Sequence, residues 1–232
     1  MKNNFNQYTV CENEFDVFSS KFLYNTLKKL SDRKEVVSVA LSGGSTPLPI
    51  LSILKEYKLN WDKFNFFMVD ERNVPVSSSS SNYGNIQKVF FKDLDSHSYS
   101  MVKDNYSIDE CAINYEKLLY SKIPLRKNGY PVFDLILLGI GDDGHTASLF
   151  PLTEGLNESK KWVIKNRIPQ LNTERITLTY PLILNASKII ILSKGGSKEK
   201  ILKEIKMGKG DHYPITPIFN SKVDTTCILG IN

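Results

Sequence analysis

The strongest constraint on this chain is the alternation of short apolar runs with stretches of helical spacing. EVVSVALS (35–42), FNFFMVDE (64–71), FDLILLG (133–139) and KIIILSK (188–194) are nearly continuous runs of β-branched, aliphatic and aromatic residues. Runs of that length and make-up fit strands buried on both faces. Between the first two, TPLPILSILKEY carries apolar residues at helical spacing behind a Thr46-Pro47 start signal. The spacing predicts further helices near 107–121 and 197–207, and RITLTY (175–180) reads as another strand. The alternation predicts an α/β fold, a doubly wound, mostly parallel sheet with helices on both faces. No long-period repeat is visible, and the serine run at 77–81 is too short for a linker. The 232 residues therefore read as a single domain, with the serine run as a mobile loop inside it.

Composition narrows the function classes. A hydrophobic content of 41% and a charged content of 24% are those of a globular protein, not a disordered one. No run approaches the roughly 18 apolar residues of a membrane helix, and the first residues lack the pattern of a secretory signal. The expectation is a cytoplasmic protein without a membrane partner. Cys11, Cys111 and Cys227 are odd in number and widely spaced, which suits neither a disulfide framework nor a metal-binding pair. Thirty Lys and Arg against 25 Asp and Glu give a net charge of +5, which favours anionic partners. The basic residues are scattered, and Lys198, Lys200, Lys203 and Lys206 read as a solvated helix face, so no nucleic acid partner is expected.

Ligands of open α/β sheets sit at the C-terminal ends of the strands, and each unusual motif falls at such an end. LSGGSTP (41–47) follows a strand and opens a helix. Gly43 and Gly44 permit positive φ and close approach, Ser45 and Thr46 bring hydroxyls and free amides, and Pro47 is tolerated in a first helical turn. The loop predicts an anion cradle at a helix N-terminus, and without a GK[ST] ending it is not a nucleotide loop. VDERNVP (69–75) leaves Asp70, Glu71 and Arg72 at a strand end, where Arg72 either clasps a phosphate or pairs with its own neighbours. Asn82 just downstream either lines the same cleft or caps the next helix.

LLGIGDDGHTASLFP (137–151) contains a formal GxGxxG in Gly139, Gly141 and Gly144. A dinucleotide reading fails on three grounds. Asp142 and Asp143 would meet the pyrophosphate, Pro151 stops any helix within two turns, and no acidic strand end follows about twenty residues on. What remains is a glycine-rich turn that presents His145 beside two carboxylates, a pattern suited to a general base whose tautomer an acid fixes. His97 and His212 sit in polar surroundings, and no second His or Cys stands at ligand spacing, so no metal is expected. Arg175 opens RITLTY, and Lys198 follows Gly195-Gly196 at another helix start. With Arg72 and the glycine loop these make several anion-holding elements, which favours a phosphorylated small molecule.

LSGGSTP, VDERNVP with its following Ser-Asn pair, FDLILLGIGDDGHTASLFP, RITLT and the GGSK turn, in this order over about residues 35–205, resemble the 6-phosphogluconolactonases. The related glucosamine-6-phosphate deaminases share the glycine loop and the GxGxDGH core but continue differently after the histidine, and TASLFP looks like the lactonase branch. The resemblance implies a Rossmann-like fold and hydrolysis of 6-phospho-D-glucono-1,5-lactone to 6-phospho-D-gluconate in the pentose phosphate pathway, with no cofactor, metal or obligate protein partner. It implies His145 as the base that takes a proton from water, with Asp143 beside it. The substrate-binding set it implies is Gly43, Gly44, Ser45, Thr46, Asp70, Arg72, Asn82, Asp142, Gly144, Arg167, Arg175 and Lys198. Two departures stand out. The basic residue that lactonases carry before the RITLT strand is Lys165, Arg167 or neither, and the C-terminal FNSKVDTTCIL keeps Asp224 without a tryptophan, which leaves the final helix open. Two rivals remain: a phosphorylated amino-sugar deaminase, with Asp70 as first base, and a non-catalytic phosphosugar-binding module.

Overall fold

In the computed structural model, which describes residues 5–123 and 129–232, strand and helix alternate along nearly the whole chain. In order they are β1 (Phe5–Cys11), α1 (Phe15–Ser31), β2 (Val37–Leu41), α2 (Pro47–Leu54), β3 (Phe64–Met68), β4 (Asp70–Arg72), α3 (Asn82–Val89), β5 (His97–Tyr99), α4 (Ile108–Lys122), β6 (Leu135–Gly139), β7 (Val163–Ile168), β8 (Thr173–Leu178), α5 (Tyr180–Ile183), β9 (Lys188–Lys194), α6 (Gly196–Lys206), α7 (Thr216–Phe219) and β10 (Asp224–Ile231). Seven strands form one sheet in the order β1-β10-β9-β6-β2-β3-β5, and every pairing in it is parallel. All five residues of β2 and all five of β3 are buried, as expected where helices cover both faces.

From β2 the chain winds outward through β3 to β5, then returns to the other side of β2 and winds through β6 and β9. The direction reverses between β2 and β6, so the crevice above their C-terminal ends is the topological switch point where such sheets hold ligands. Both glycine-rich motifs leave the sheet there.

RITLTY belongs elsewhere than the parallel sheet. As β8 it is the middle of a separate three-stranded antiparallel sheet, β4-β8-β7. The chain bends at Val69, whose amide donates to Leu41 O at 3.0 Å while its carbonyl accepts from Leu178 N at 2.9 Å. Asp-Glu-Arg thereby becomes a strand of its own. The final element is a strand and not a helix: β10 lies between β1 and β9, with Asp224 accepting from Lys188 at 2.7 Å. The serine run, expected as a mobile loop, is tethered by bonds from Arg72 to Ser80 O (2.6 Å) and from Asn85 to Ser79 O (2.8 Å).

The core under the site is aromatic: Phe66 meets Phe90 edge-on at 5.4 Å and Trp61 meets Phe90 at 5.5 Å. Tyr115 of α4 ties that core to the end of β3, its hydroxyl accepting from Met68 N (2.7 Å) and donating to Met68 O (3.2 Å). Burial pushes that phenol far above its ordinary range. Tyr115→Phe is expected to lower stability by about 1–3 kcal/mol, because it leaves buried backbone groups unpaired. Chemical denaturation checks the loss, and kcat should not move. The three cysteines are free thiols, and burial pushes Cys227 up to about 12. No helix among the described residues is long and apolar enough to cross a membrane.

Candidate active site

Between the C-terminal ends of β2 and β6 lies a cleft of about 270 Å³. The loop after β2 forms one wall. Gly44 has φ +99°, and the amides of Gly43, Gly44 and Ser45 find no acceptor among the described residues. Gly43 has no side chain because Asn82 fills that space: a Cβ would sit 2.2 Å from Asn82 Oδ1. Ser45 and Thr46 complete the wall, and α2 begins at Pro47. Asn82 is a lining residue, with Nδ2 donating to Asp70 O at 3.1 Å. The cap of α3 is Ser81, which accepts from Gly84 N at 3.0 Å.

The Asp-Glu-Arg run forms no internal ion pair. Buried Asp70 accepts from Ser148 Oγ at 2.6 Å. Glu71 is buried and accepts from Arg72 N (2.8 Å), Asn82 N (2.7 Å), Tyr83 N (2.8 Å) and Ser81 Oγ (3.0 Å). Burial raises its carboxyl above the usual range although all four bonds oppose the rise. With Glu71 engaged at the start of α3, Arg72 faces its register partner Arg175 across β4 and β8. Neither guanidinium forms an ion pair among the described residues, and both Nε atoms are buried without a protein partner. Burial lowers Arg175, Asp70 counteracts this, and Arg72 lowers it further. Like charges directly opposite on antiparallel strands repel, and an anion between them relieves the repulsion.

After β6 no helix follows Gly144, and only a single bridge joins Thr146 to Leu149. The dinucleotide geometry is therefore absent, as its chemistry suggested. His145 Nδ1 lies 2.6 Å from Asp143 Oδ1, which also accepts from His145 N at 3.1 Å. With Nδ1–H donated to Asp143, Nε2 keeps its lone pair, and the ring lines the cleft. Burial would raise the Asp143 carboxyl, but the His145 bonds together hold it below the ordinary range. A depressed acid contributes stability above its unfolded pKa, which is lost as pH falls through the lowered value, so the pair stays intact at neutral pH.

Asp142 and Gly144 do not line the cleft. Asp142 accepts from Lys198 and, at 2.6 Å, from Ser197, and these bonds lower its carboxyl. It fixes Lys198, which does line the cleft. Gly144 packs against Tyr213. Arg167 is a correction: it lies outside the cleft, exposed beside Asn73, Asn172, Thr173 and Glu174. The register of the small sheet sets it opposite Glu174 on the outer strand β7. Lys165 pairs with Asp109 at 2.7 Å, so neither basic residue before β8 reaches the cleft.

Sequence reasoning missed three contributors. Lys194 ends β9 and lines the cleft, 3.6 Å from Glu12; its place beside β6 was the available signal. Buried Thr146 also lines the cleft, its hydroxyl without a protein partner. Asn166, next to Arg167, is buried and donates to Ser148 O (2.8 Å) and Thr153 Oγ1 (3.0 Å), holding the segment after His145.

Known proteins resemble this chain in sequence and in fold. The family described as glucosamine-6-phosphate isomerases/6-phosphogluconolactonase matches residues 18–227. The 6-phosphogluconolactonase of Chlamydia pneumoniae is 37% identical over 183 residues, covering 78% of this chain and 69% of that protein. The Synechocystis 6-phosphogluconolactonase is 36% identical over 183 residues, covering 76% and 75%. Among solved structures, 6-phosphogluconolactonase of Thermotoga maritima superposes with TM-score 0.82 at 28% identity, over 98% of this chain and 100% of that one. The Trypanosoma brucei 6-phosphogluconolactonase gives TM-score 0.83 at 27% identity, over 99% and 96%.

Proposed function

Because the chain belongs to the family of glucosamine-6-phosphate isomerases and 6-phosphogluconolactonases, we propose that its cleft hydrolyses 6-phospho-D-glucono-1,5-lactone to 6-phospho-D-gluconate, in the cytoplasm. The observation that carries this reading is the placement in one cleft of a carboxylate-held histidine and two opposed arginines that form no ion pair among the described residues. A δ-lactone is an activated ester, so a positioned base, an anchor for the phosphate and donors for the oxyanion suffice.

Water attacks C1 of the lactone while Nε2 of His145 takes its proton. Asp143 remains ionised and stabilises the imidazolium. As the tetrahedral intermediate collapses, the bond from C1 to the ring oxygen breaks and the imidazolium returns the proton to that oxygen. The products are the carboxylic acid, which ionises to the carboxylate by releasing its proton to solvent, and the 5-hydroxyl. Arg72 and Arg175 hold the phosphate, supported by Lys198 and Lys194, and the amides of Gly43 to Ser45 offer donors to the substrate.

The test separates anchoring from chemistry. Arg175→Ala is expected to lower efficiency on the phosphorylated lactone by about 10- to 100-fold, as loss of a charge-assisted contact does. Most of the loss should lie in KM, with little change on unphosphorylated gluconolactone. Equal loss on both substrates would remove the anchoring role. The deaminase rival needs Asp70 as a base, yet both Asp70 oxygens face donors, Ser148 at 2.6 Å and Asn82 at 3.4 Å. Ammonia release from glucosamine 6-phosphate at a comparable rate would overturn the lactonase reading.

A further inference from the structure

Building on the assignment of His145 as the base, we infer that Phe150 is a positioning residue whose ring fixes the plane of the His145 imidazole and links it to Arg175, setting the spacing between base and anion anchor. The His145 and Phe150 rings stack with centroids 3.8 Å apart and planes 17° from parallel. Arg175 Cζ lies 5.6 Å from the centroid of the same Phe150 ring. One buried ring, 5% exposed, therefore touches both functional groups.

The base needs such a platform. The bond from Nδ1 to Asp143 holds the imidazole at one atom and leaves it free to swing about that contact. Contact across the whole ring face removes the swing and aims Nε2. The platform is itself fixed, since Phe150 O accepts from Thr153 Oγ1 at 2.8 Å and Thr153 Oγ1 accepts from Asn166 at 3.0 Å. The chain folds back beneath His145 through Ala147 at φ +51°, a conformation that costs a residue with a side chain, and through a bond from Leu149 N to Thr146 O at 2.9 Å. An aromatic face also favours the imidazolium formed when His145 takes its proton, which an aliphatic side chain of similar volume does not.

Phe150→Leu, Phe150→Tyr and His145→Ala, compared on the phosphorylated lactone, test the inference. Phe150→Leu should lower kcat by about 10- to 100-fold, the scale of a misaligned catalytic group, with a smaller rise in KM from the loosened Arg175. Phe150→Tyr should stay within about threefold of wild type in kcat, since it keeps the ring face. Proton NMR reads the geometry without activity: the His145 ring protons should lie upfield from the ring current, move downfield in Phe150→Leu and stay in Phe150→Tyr. Phe150→Met repeats the comparison should the leucine variant unfold. A leucine variant with wild-type kcat and unshifted His145 protons, beside an inactive His145→Ala, would overturn the positioning role alone. Full activity in His145→Ala would overturn the assignment of the base.

Discussion

His145→Ala should reduce the catalysed rate of lactone opening by about 10² to 10⁴-fold, the usual contribution of a general base. In free energy this is about 3–5 kcal/mol of transition-state stabilisation. The loss should fall on kcat, because the arginines proposed to hold the phosphate are untouched. The lactone also opens unaided, so the assay subtracts the enzyme-free rate at each pH. Asp143→Asn gives the companion measurement. It keeps an oxygen near Nδ1 but removes the charge that stabilises the imidazolium, so its loss should have the same direction and be smaller than that of His145→Ala. A His145→Ala protein as fast as wild type would place the base elsewhere. A wild-type Asp143→Asn beside an inactive His145→Ala would keep the base and remove its orienting partner.

The sheet was legible where strands are buried on both faces. VVSVAL, FNFFM, LILLG and KIIILSK are mostly apolar, with too few polar positions to suggest an alternating face, and all became neighbouring parallel strands. The edge strand β1 was not, because its residues are mostly exposed or half-buried and FNQYTVC has no strong period. β10 escaped because its neighbours β1 and β9, remote in sequence, decide its pairing. RITLTY was recognised as a strand, but no local signal tells which sheet takes it; the bend at Val69 decides that. The meeting of the glycine loops, His145, Arg72 and Arg175 in one cleft could be read because rare residue types cluster at strand ends. The places of Asp142 and Arg167 could not. An acid beside the proposed base looks the same whether it faces substrate or, as here, a lysine brought from α6 by the fold. The position of Arg167 turns on the register of β7 with β8, which sequence spacing does not fix.

The glycines of the formal GxGxxG provide the second large effect, since the fold uses each one differently from a dinucleotide loop. A Cβ on Gly141 would lie 2.1 Å from His145 Nδ1 and 2.9 Å from Asp143 Oδ1. Gly141 cannot retreat easily, because its amide donates to His145 O at 2.8 Å and its carbonyl accepts from Gly144 N at 3.0 Å. Gly141→Ala therefore has to displace the imidazole, and a displacement near 1 Å costs about 100-fold in kcat. Gly144 is held for another reason: φ is +77° and a Cβ would meet Tyr213 at 2.4 Å. Gly144→Ala should chiefly destabilise, by about 1–3 kcal/mol from backbone strain before the clash is counted. At Gly139 a Cβ meets nothing within 4 Å, so Gly139→Ala should fold normally and leave His145 in place. Measured together, kcat should fall steeply at Gly141, the melting temperature should fall most at Gly144, and Gly139 should move kcat least. In a phosphate-binding glycine loop all three would act through close approach of the ligand, and KM would change before kcat. Loss of kcat confined to Gly141, the glycine against the histidine ring, is the outcome that only the base-positioning turn explains.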